Sequence, residues 1–299
     1  MSAKKERRKL DGVLLLDKPP GITSQGAVSR AKRLFGAAKA GHTGTLDPMA
    51  TGLLPLAFGE ATKFAHSLLD ADKAYVADVR FGVTTTTGDL EGDVVSTKPV
   101  DLDEPRLLNA LARFRGEIVQ VPPMYSALKH QGKPLYEYAR AGTEIVREPR
   151  RITIHALELD SFAGDTARIR VWCSKGTYIR VLAEDIGETL GCGATLAALR
   201  RTAVGPFSVE AATTLEALEA VPPDERAGAL LPADTLVREL PAVALDAGQA
   251  RRLGLGQSVS GLAAGAGLVR AYGPAGAFLG VCELSTTGVL APRRLLATS

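Results

Sequence analysis

Residues 41–52 read GHTGTLDPMATG, which packs three glycines, three threonines, a histidine and an Asp-Pro pair into twelve residues. Asp47 is the group there with the plainest chemical use. A carboxylate is ionised at neutral pH, so it acts as nucleophile or base with no neighbouring histidine to deprotonate it. An Asp before a proline also suits a turn, so the same residue has a purely conformational reading. Elsewhere the familiar signatures are missing. There is no G-x-x-x-x-G-K-[ST], no G-x-S-x-G and no H-E-x-x-H, so neither a nucleotide cradle nor a serine nucleophile elbow nor a zinc helix is expected. The four histidines (His42, His66, His130, His155) are scattered without metal spacing, and no metal or cofactor is expected.

The flanking segments are the elements that must hold this loop. Val13–Asp17 reads as a strand, and KPPG after it as a turn, because proline cannot continue a ladder. Thr23 or Ser24 then caps a helix whose apolar positions Ala27, Val28, Ala31, Leu34 and Phe35 follow helical spacing. The stretch 41–52 is too broken for helix or strand. Leu53–Phe58 reads as a buried strand, Glu60–Leu69 as a helix and Lys73–Phe81 as an alternating strand. VTTTTGDLEGD is a polar loop. Residues 103–113 predict a helix. Ile152–Leu159 and Thr166–Cys173 predict β-branched strands joined by a turn, and Ile179, Leu182, Ile186 and Leu190 form a helical stripe.

The composition is that of a globular protein: 299 residues, 45% hydrophobic, 23% charged, mean hydropathy +0.06. Three cysteines without a C-x-x-C pair fit a reducing cytosol. No apolar run is long enough for a membrane helix, and the basic N-terminus lacks the apolar core of a signal peptide. A cytoplasmic location and no membrane contact are therefore expected. The net charge of +3 divides unevenly, with +5 in residues 1–209, −6 in 210–246 and +4 in 247–299. Two basic blocks flanking an acidic one are compatible with a polyanionic ligand or with ordinary surface charge. Four parts are expected: a basic tail (1–10), a large domain (11–209), an acidic connector (210–240) and a small β-rich module (241–299).

GHTGTLDPMATGLLPLAFGEATKF (41–64) closely resembles the catalytic motif of the TruB family of pseudouridine synthases, which isomerise uridine 55 in the tRNA T-loop. LDKPPGITS (16–24), KAYVADVRFG (73–82), CSKGTYIRVLAEDIG (173–187) and GCGATLAALRRTAVG (191–205) follow the family order. The match is strong over about residues 1–210 and looser over the last 60. Met49 and Ala57–Phe58 stand where the family carries other apolar residues, which puts no catalytic assignment in doubt.

The resemblance implies an α+β fold: a mixed, mainly antiparallel sheet with flanking helices, plus a PUA-like C-terminal domain. It implies Asp47 as the catalytic carboxylate, Arg180 as its partner, and Tyr75 as the residue that stacks on the flipped uracil and assists proton removal. Tyr178 and Leu199 would wall the base pocket, and His42 would enter the RNA loop. Lys18 would meet phosphate or support the site. The implied substrate is tRNA. No cofactor and no obligatory protein partner are implied, and a monomer is expected. Lys129, Lys133, Arg140, Arg147, Arg150, Arg151, Arg200 and Arg201 are candidate phosphate contacts, with Tyr136 and Tyr138 interleaved. Two rivals remain at this level: a non-catalytic tRNA-folding factor and a guide-RNA-dependent synthase.

Overall fold

The computed structural model describes residues 7–297, so Lys4 and Lys5 of the basic tail lie outside the described residues. The chain opens with strand β1 (Gly12–Lys18), helix α1 (Ser24–Leu34), the short strand β2 (Ala40–His42) and strand β3 (Thr51–Phe58). β1 and β3 carry near-continuous apolar runs because both faces of the sheet are covered where they lie. They pair antiparallel from Gly12–Phe58 to Lys18–Gly52. The turn between β1 and α1 therefore comes to lie beside the loop between β2 and β3.

Ten strands form the main sheet. Its principal order is Thr213–Thr214, β1, β3, Ala194–Val204, β4 (Lys73–Phe81), Thr166–Cys173, Arg150–Ala163 and Gly116–Gln120. Only the junctions of β1 with Thr213–Thr214 and of β3 with Ala194–Val204 are parallel, so the sheet is mixed and mainly antiparallel. Period-2 alternation sets the faces. On β4, Ala77, Val79 and Phe81 are buried in the main core and Tyr75 packs against it, while Arg80 is exposed. Helices α1, Glu104–Ala112 and Ile179–Leu190 supply the other side of this core. The helical stripe after Tyr178 is realised over Ile179–Leu190, with Ile179, Leu182 and Ile186 buried and Gly191 ending the helix in the left-handed conformation.

Two expectations are corrected. Glu60–Leu69 is not an α-helix but two 3₁₀ turns, Gly59–Lys63 and Ala65–Leu68. The break lets Ala61, Phe64 and Leu68 all face one apolar cluster, and it frees carbonyls for the buried Lys73 ammonium, which binds those of Leu68, Leu69 and Ala71. The acidic segment 210–240 is also more than a connector. Thr213–Thr214 extends the main sheet beside β1, Leu215 and Leu218 enter the main core, and Leu236 and Val237 enter a second cluster with Val13, Leu15 and Phe64. Short apolar pairs suffice for this burial and leave no helical period for a sequence pattern to show.

The C-terminal module is a four-stranded sheet in the order Ala242–Ala244, Gly267–Tyr272, Phe278–Leu284, Leu290–Leu295, with a core of its own. It is docked on the large domain. Val281 joins the second cluster, the rings of Phe64 and Phe278 lie 5.3 Å apart, and the Lys63 ammonium donates to the Leu295 carbonyl at 2.8 Å. No helix among the described residues is long and apolar enough to cross a membrane.

Candidate active site

The loop between β2 and β3 carries Asp47, and three separate elements clamp it. From α1, Ser24 Oγ donates to the Leu46 carbonyl at 3.0 Å and accepts from the Leu46 N–H at 2.8 Å. Thr23 supplies the helix cap by accepting from the Gly26 N–H, which leaves Ser24 free for this second task. From the end of β1, the fully buried Lys18 ammonium donates to the carbonyls of Pro19, Ile22 and Pro48 at 2.8–3.1 Å. From strand Ala194–Val204, Arg201 donates to the carbonyls of Thr45 and Gly44. Gly52 is required where the loop rejoins the sheet: its φ is +101°, and a Cβ there would overlap the backbone of Arg201.

Of the two uses the sequence leaves open for Lys18, the structure excludes the phosphate contact. Its three protons are spent on carbonyls and none of its surface reaches solvent. Burial also pushes its pKa down to about 8, against the pull of Asp47. K18M should therefore lower stability by about 2–4 kcal/mol, because three carbonyls lose their donor. The salt dependence of tRNA binding should keep its slope, since no phosphate contact is lost. A shallower slope in a salt titration of K18M would restore the phosphate assignment.

Asp47 meets Arg180 at the first turn of helix Ile179–Leu190. Arg180 Nε donates to Asp47 Oδ2 at 3.0 Å and Nη2 to Oδ1 at 3.4 Å. The guanidinium is only 4% exposed, whereas the carboxylate is 34% exposed. Its remaining hydrogen bonds tie down two loops: Nη1 donates to the Thr87 carbonyl and Nη2 to the Tyr125 carbonyl, each at 2.7 Å. A second carboxylate, Asp89, lies 3.6 Å from Nε and is itself buried. The Thr87 hydroxyl and the Glu91 N–H hold Asp89 in place. One cation thus organises two carboxylates, one sealed and one facing open space. Asp89 lies in a polar loop of ordinary composition, and its one signal in the sequence is an acid beside a glycine in TTTTGDLEG.

The open space is a cleft of about 800 Å³. His42, Asp47 and Arg180 line it, together with Asp89, Glu91, Asp93, Tyr125, Tyr136 and Arg140. His42 stands at the end of β2, and its Nδ1 accepts from the Gly44 N–H at 3.3 Å. Burial, and then Arg201, lower its pKa, which favours the neutral ring. The Arg140 guanidinium lies over the Tyr136 ring, 5.4 Å from its centroid.

Burial first, and Asp47 in the smallest part, raise the pKa of the Tyr75 and Tyr178 hydroxyls. Tyr178 directly precedes the helix of Arg180, and its backbone is bracketed by the Gln120 side-chain amide. Leu199, on an interior strand, is 8% exposed and belongs to the main core cluster. Arg201 is likewise removed from the phosphate candidates, being 2% exposed. Arg200, Arg151 and Arg147 are engaged with Asp17, Glu117 and Glu144.

Residues 32–179 match the model of the TruB family pseudouridylate synthase N-terminal domain. Residues 180–238 match the tRNA pseudouridylate synthase B C-terminal domain, and 241–296 the model described as pseudouridine synthase II TruB, C-terminal. A protein named tRNA pseudouridine synthase B from Aromatoleum aromaticum (strain DSM 19018 / LMG 30748 / EbN1) is 59% identical over 293 residues, covering 98% of this chain and 95% of the relative. The chain belongs to the TruB family. A relative of the same name from Burkholderia mallei (strain NCTC 10247) is 60% identical over 299 residues, covering 98% of this chain and 99% of its own. Among solved structures, a Cbf5-Nop10-Gar1 complex contains a chain that superposes with a TM-score of 0.72 at 28% identity, covering 96% of this TruB-family chain and 85% of that one. The middle family model runs across residue 209, treating the helix of Arg180 and the acidic segment as one unit, in keeping with the packing of residues 210–240 onto the main sheet.

Proposed function

We propose that this protein converts uridine to pseudouridine at position 55 in the T-loop of tRNA, without a cofactor, with Asp47 as the catalytic carboxylate. The observation that carries this reading is the placement of Asp47: a carboxylate oriented by a buried guanidinium and one-third exposed to a deep cleft. It stands in a chain about 60% identical, along its whole length, to relatives named tRNA pseudouridine synthase B.

The chemistry suits these groups. The N1–C1′ bond breaks, the uracil turns, and C5 joins C1′ with no atom gained or lost overall. Three routes use such a carboxylate: attack at C1′, attack at C6 of the base, or removal of the C2′ proton through a glycal. Each needs Asp47 ionised and aimed, which Arg180 supports. Tyr75 is the residue for the uracil ring and its C5 proton, and Tyr178 the supporting wall. His42, neutral at the cleft, takes the space of nucleotides displaced when the uridine leaves its stack. Glu91 and Asp93 in the lining disfavour phosphate beside them, and Arg140 favours it, so the RNA backbone passes nearer Arg140.

The protein acts in the cytoplasm as a monomer without a guide RNA. Its far higher identity to the tRNA enzymes than to Cbf5 favours that over assembly in a ribonucleoprotein. Opening the tRNA elbow to reach the base also assists tRNA folding. The test is to incubate the purified protein with an unmodified tRNA transcript and map pseudouridine. Conversion confined to position 55 is expected; no conversion without an added guide RNA or partner protein would overturn the reading.

The C-terminal module adds affinity for RNA. A chain ending at residue 240 should remain folded and active but bind tRNA more weakly, with a shallower salt dependence, because the +4 charge of residues 247–299 is lost. It should also melt earlier, since Phe64 loses its cover; exposing one such ring costs about 1.5–3 kcal/mol. Unchanged binding across a salt titration would assign the module another task.

A further inference from the structure

Arg201 is a buried cation bonded to the Asp47 loop and, among the described residues, paired with no carboxylate. It lies on strand Ala194–Val204, directly between Gly52 of β3 and Tyr75 of β4 in the sheet register. It is 2% exposed. Its Nε donates to the Leu53 carbonyl at 2.8 Å, and Nη1 and Nη2 donate to the carbonyls of Thr45 and Gly44 at 3.3 and 3.4 Å. Tyr75, its partner across the strand pair, is the ionisable side chain whose charge would favour that of the guanidinium. A buried guanidinium stays protonated, and sealing one away from carboxylates is costly. Arg180, by contrast, has two carboxylates. The missing counter-ion leaves the positive field of Arg201 free to act on its surroundings. Burial first, and that field in smaller part, lower the pKa values of Lys18, His42 and Lys73; at the Tyr75 hydroxyl the field opposes burial, which still pushes the pKa up.

We propose that Arg201 is a positioning residue that couples Tyr75 to the Asp47 loop and stabilises the Tyr75 phenolate as the acceptor of the uracil C5 proton. The proposal rests on the isomerase reading above. In the step concerned, the C5–H bond of the newly C-linked uracil breaks, and its electron pair re-forms the C5–C6 double bond while the N1–C6 double-bond pair moves onto N1. N1 then takes a proton from solvent. The phenolate oxygen takes the C5 proton, becoming the phenol, and later releases that proton to solvent. Arg201 touches no substrate; it lowers the cost of the anion that does. Its bonds to Gly44 and Thr45 tie the same guanidinium to the loop that presents Asp47, so the acceptor and the carboxylate share one anchor.

The test labels the full chain with 3-fluorotyrosine, which brings phenol ionisation into a pH range that folded proteins tolerate, and follows the six tyrosines by fluorine NMR. The Tyr75 signal is assigned as the one lost in Y75F. In R201M that signal should ionise about one pH unit or more higher than in the parent, whereas R201K, which keeps the charge, should fall between. Single-turnover tritium release from C5-labelled tRNA should slow by about tenfold or more at pH 7.5 in R201M and recover as the pH rises. Unchanged Tyr75 ionisation in R201M and R201K overturns the proposal, as does a rate loss in R201M that is equal at every pH. Should R201M not fold, R201K decides through both readouts. The titration is made on free protein, so its result stands apart from the isomerase reading, which fails separately if the parent chain forms no pseudouridine.

Discussion

Asp47→Asn should reduce pseudouridine formation by at least about four orders of magnitude while leaving the fold intact. Asparagine is nearly isosteric and suits the turn as well as aspartate does. The clamp from Ser24, Lys18 and Arg201 acts on the carbonyls of Gly44, Thr45, Leu46 and Pro48 and on the Leu46 amide, none of which changes. What is lost is the charge, and with it the nucleophile or base. Binding of tRNA should survive, because phosphate contacts supply most of the affinity and lie elsewhere. The measurement is single-turnover tritium release from C5-labelled tRNA, run beside filter binding and a thermal melt. Parent-like release from a folded D47N protein would reduce Asp47 to a turn-former.

Replacing Arg180 should have the second largest effect, and its two variants should differ in kind. R180K keeps one charge but presents an ammonium in place of a planar fork, so it cannot serve Asp47, the Thr87 carbonyl and the Tyr125 carbonyl together. A loss of about two to three orders of magnitude in rate is expected with a modest drop in melting temperature. R180M should in addition unfold easily, by about 3–5 kcal/mol, because Asp89 is left buried beside Asp47 with no cation. The single-turnover rate and the denaturation midpoint, measured for both variants, check this. An R180K protein with parental rate would show that orientation of Asp47 matters little.

Periodicity and punctuation were enough to read most of the elements in this chain. The stripe Ile179, Leu182, Ile186, Leu190 became the helix Ile179–Leu190, and the alternation in Lys73–Phe81 became a strand with those bounds, because one buried face imposes its period on the sequence. Asp47 and Arg180, 133 positions apart, were paired through the family resemblance, and the structure brings them to 3.0 Å. Spacing alone carries no such information, since contact across a sheet has no sequence period. The same limit hid Asp89, whose importance lies wholly in being sealed beside Arg180. It also hid the true positions of Lys18 and Arg201. A lysine in a turn and an arginine on a strand look like solvated charges until the chain closes over them. Residue type determined what chemistry the site can offer. Tertiary structure decided which charges face the cleft and which are spent on carbonyls inside, because burial is a property of the assembled sheet and not of any segment within it.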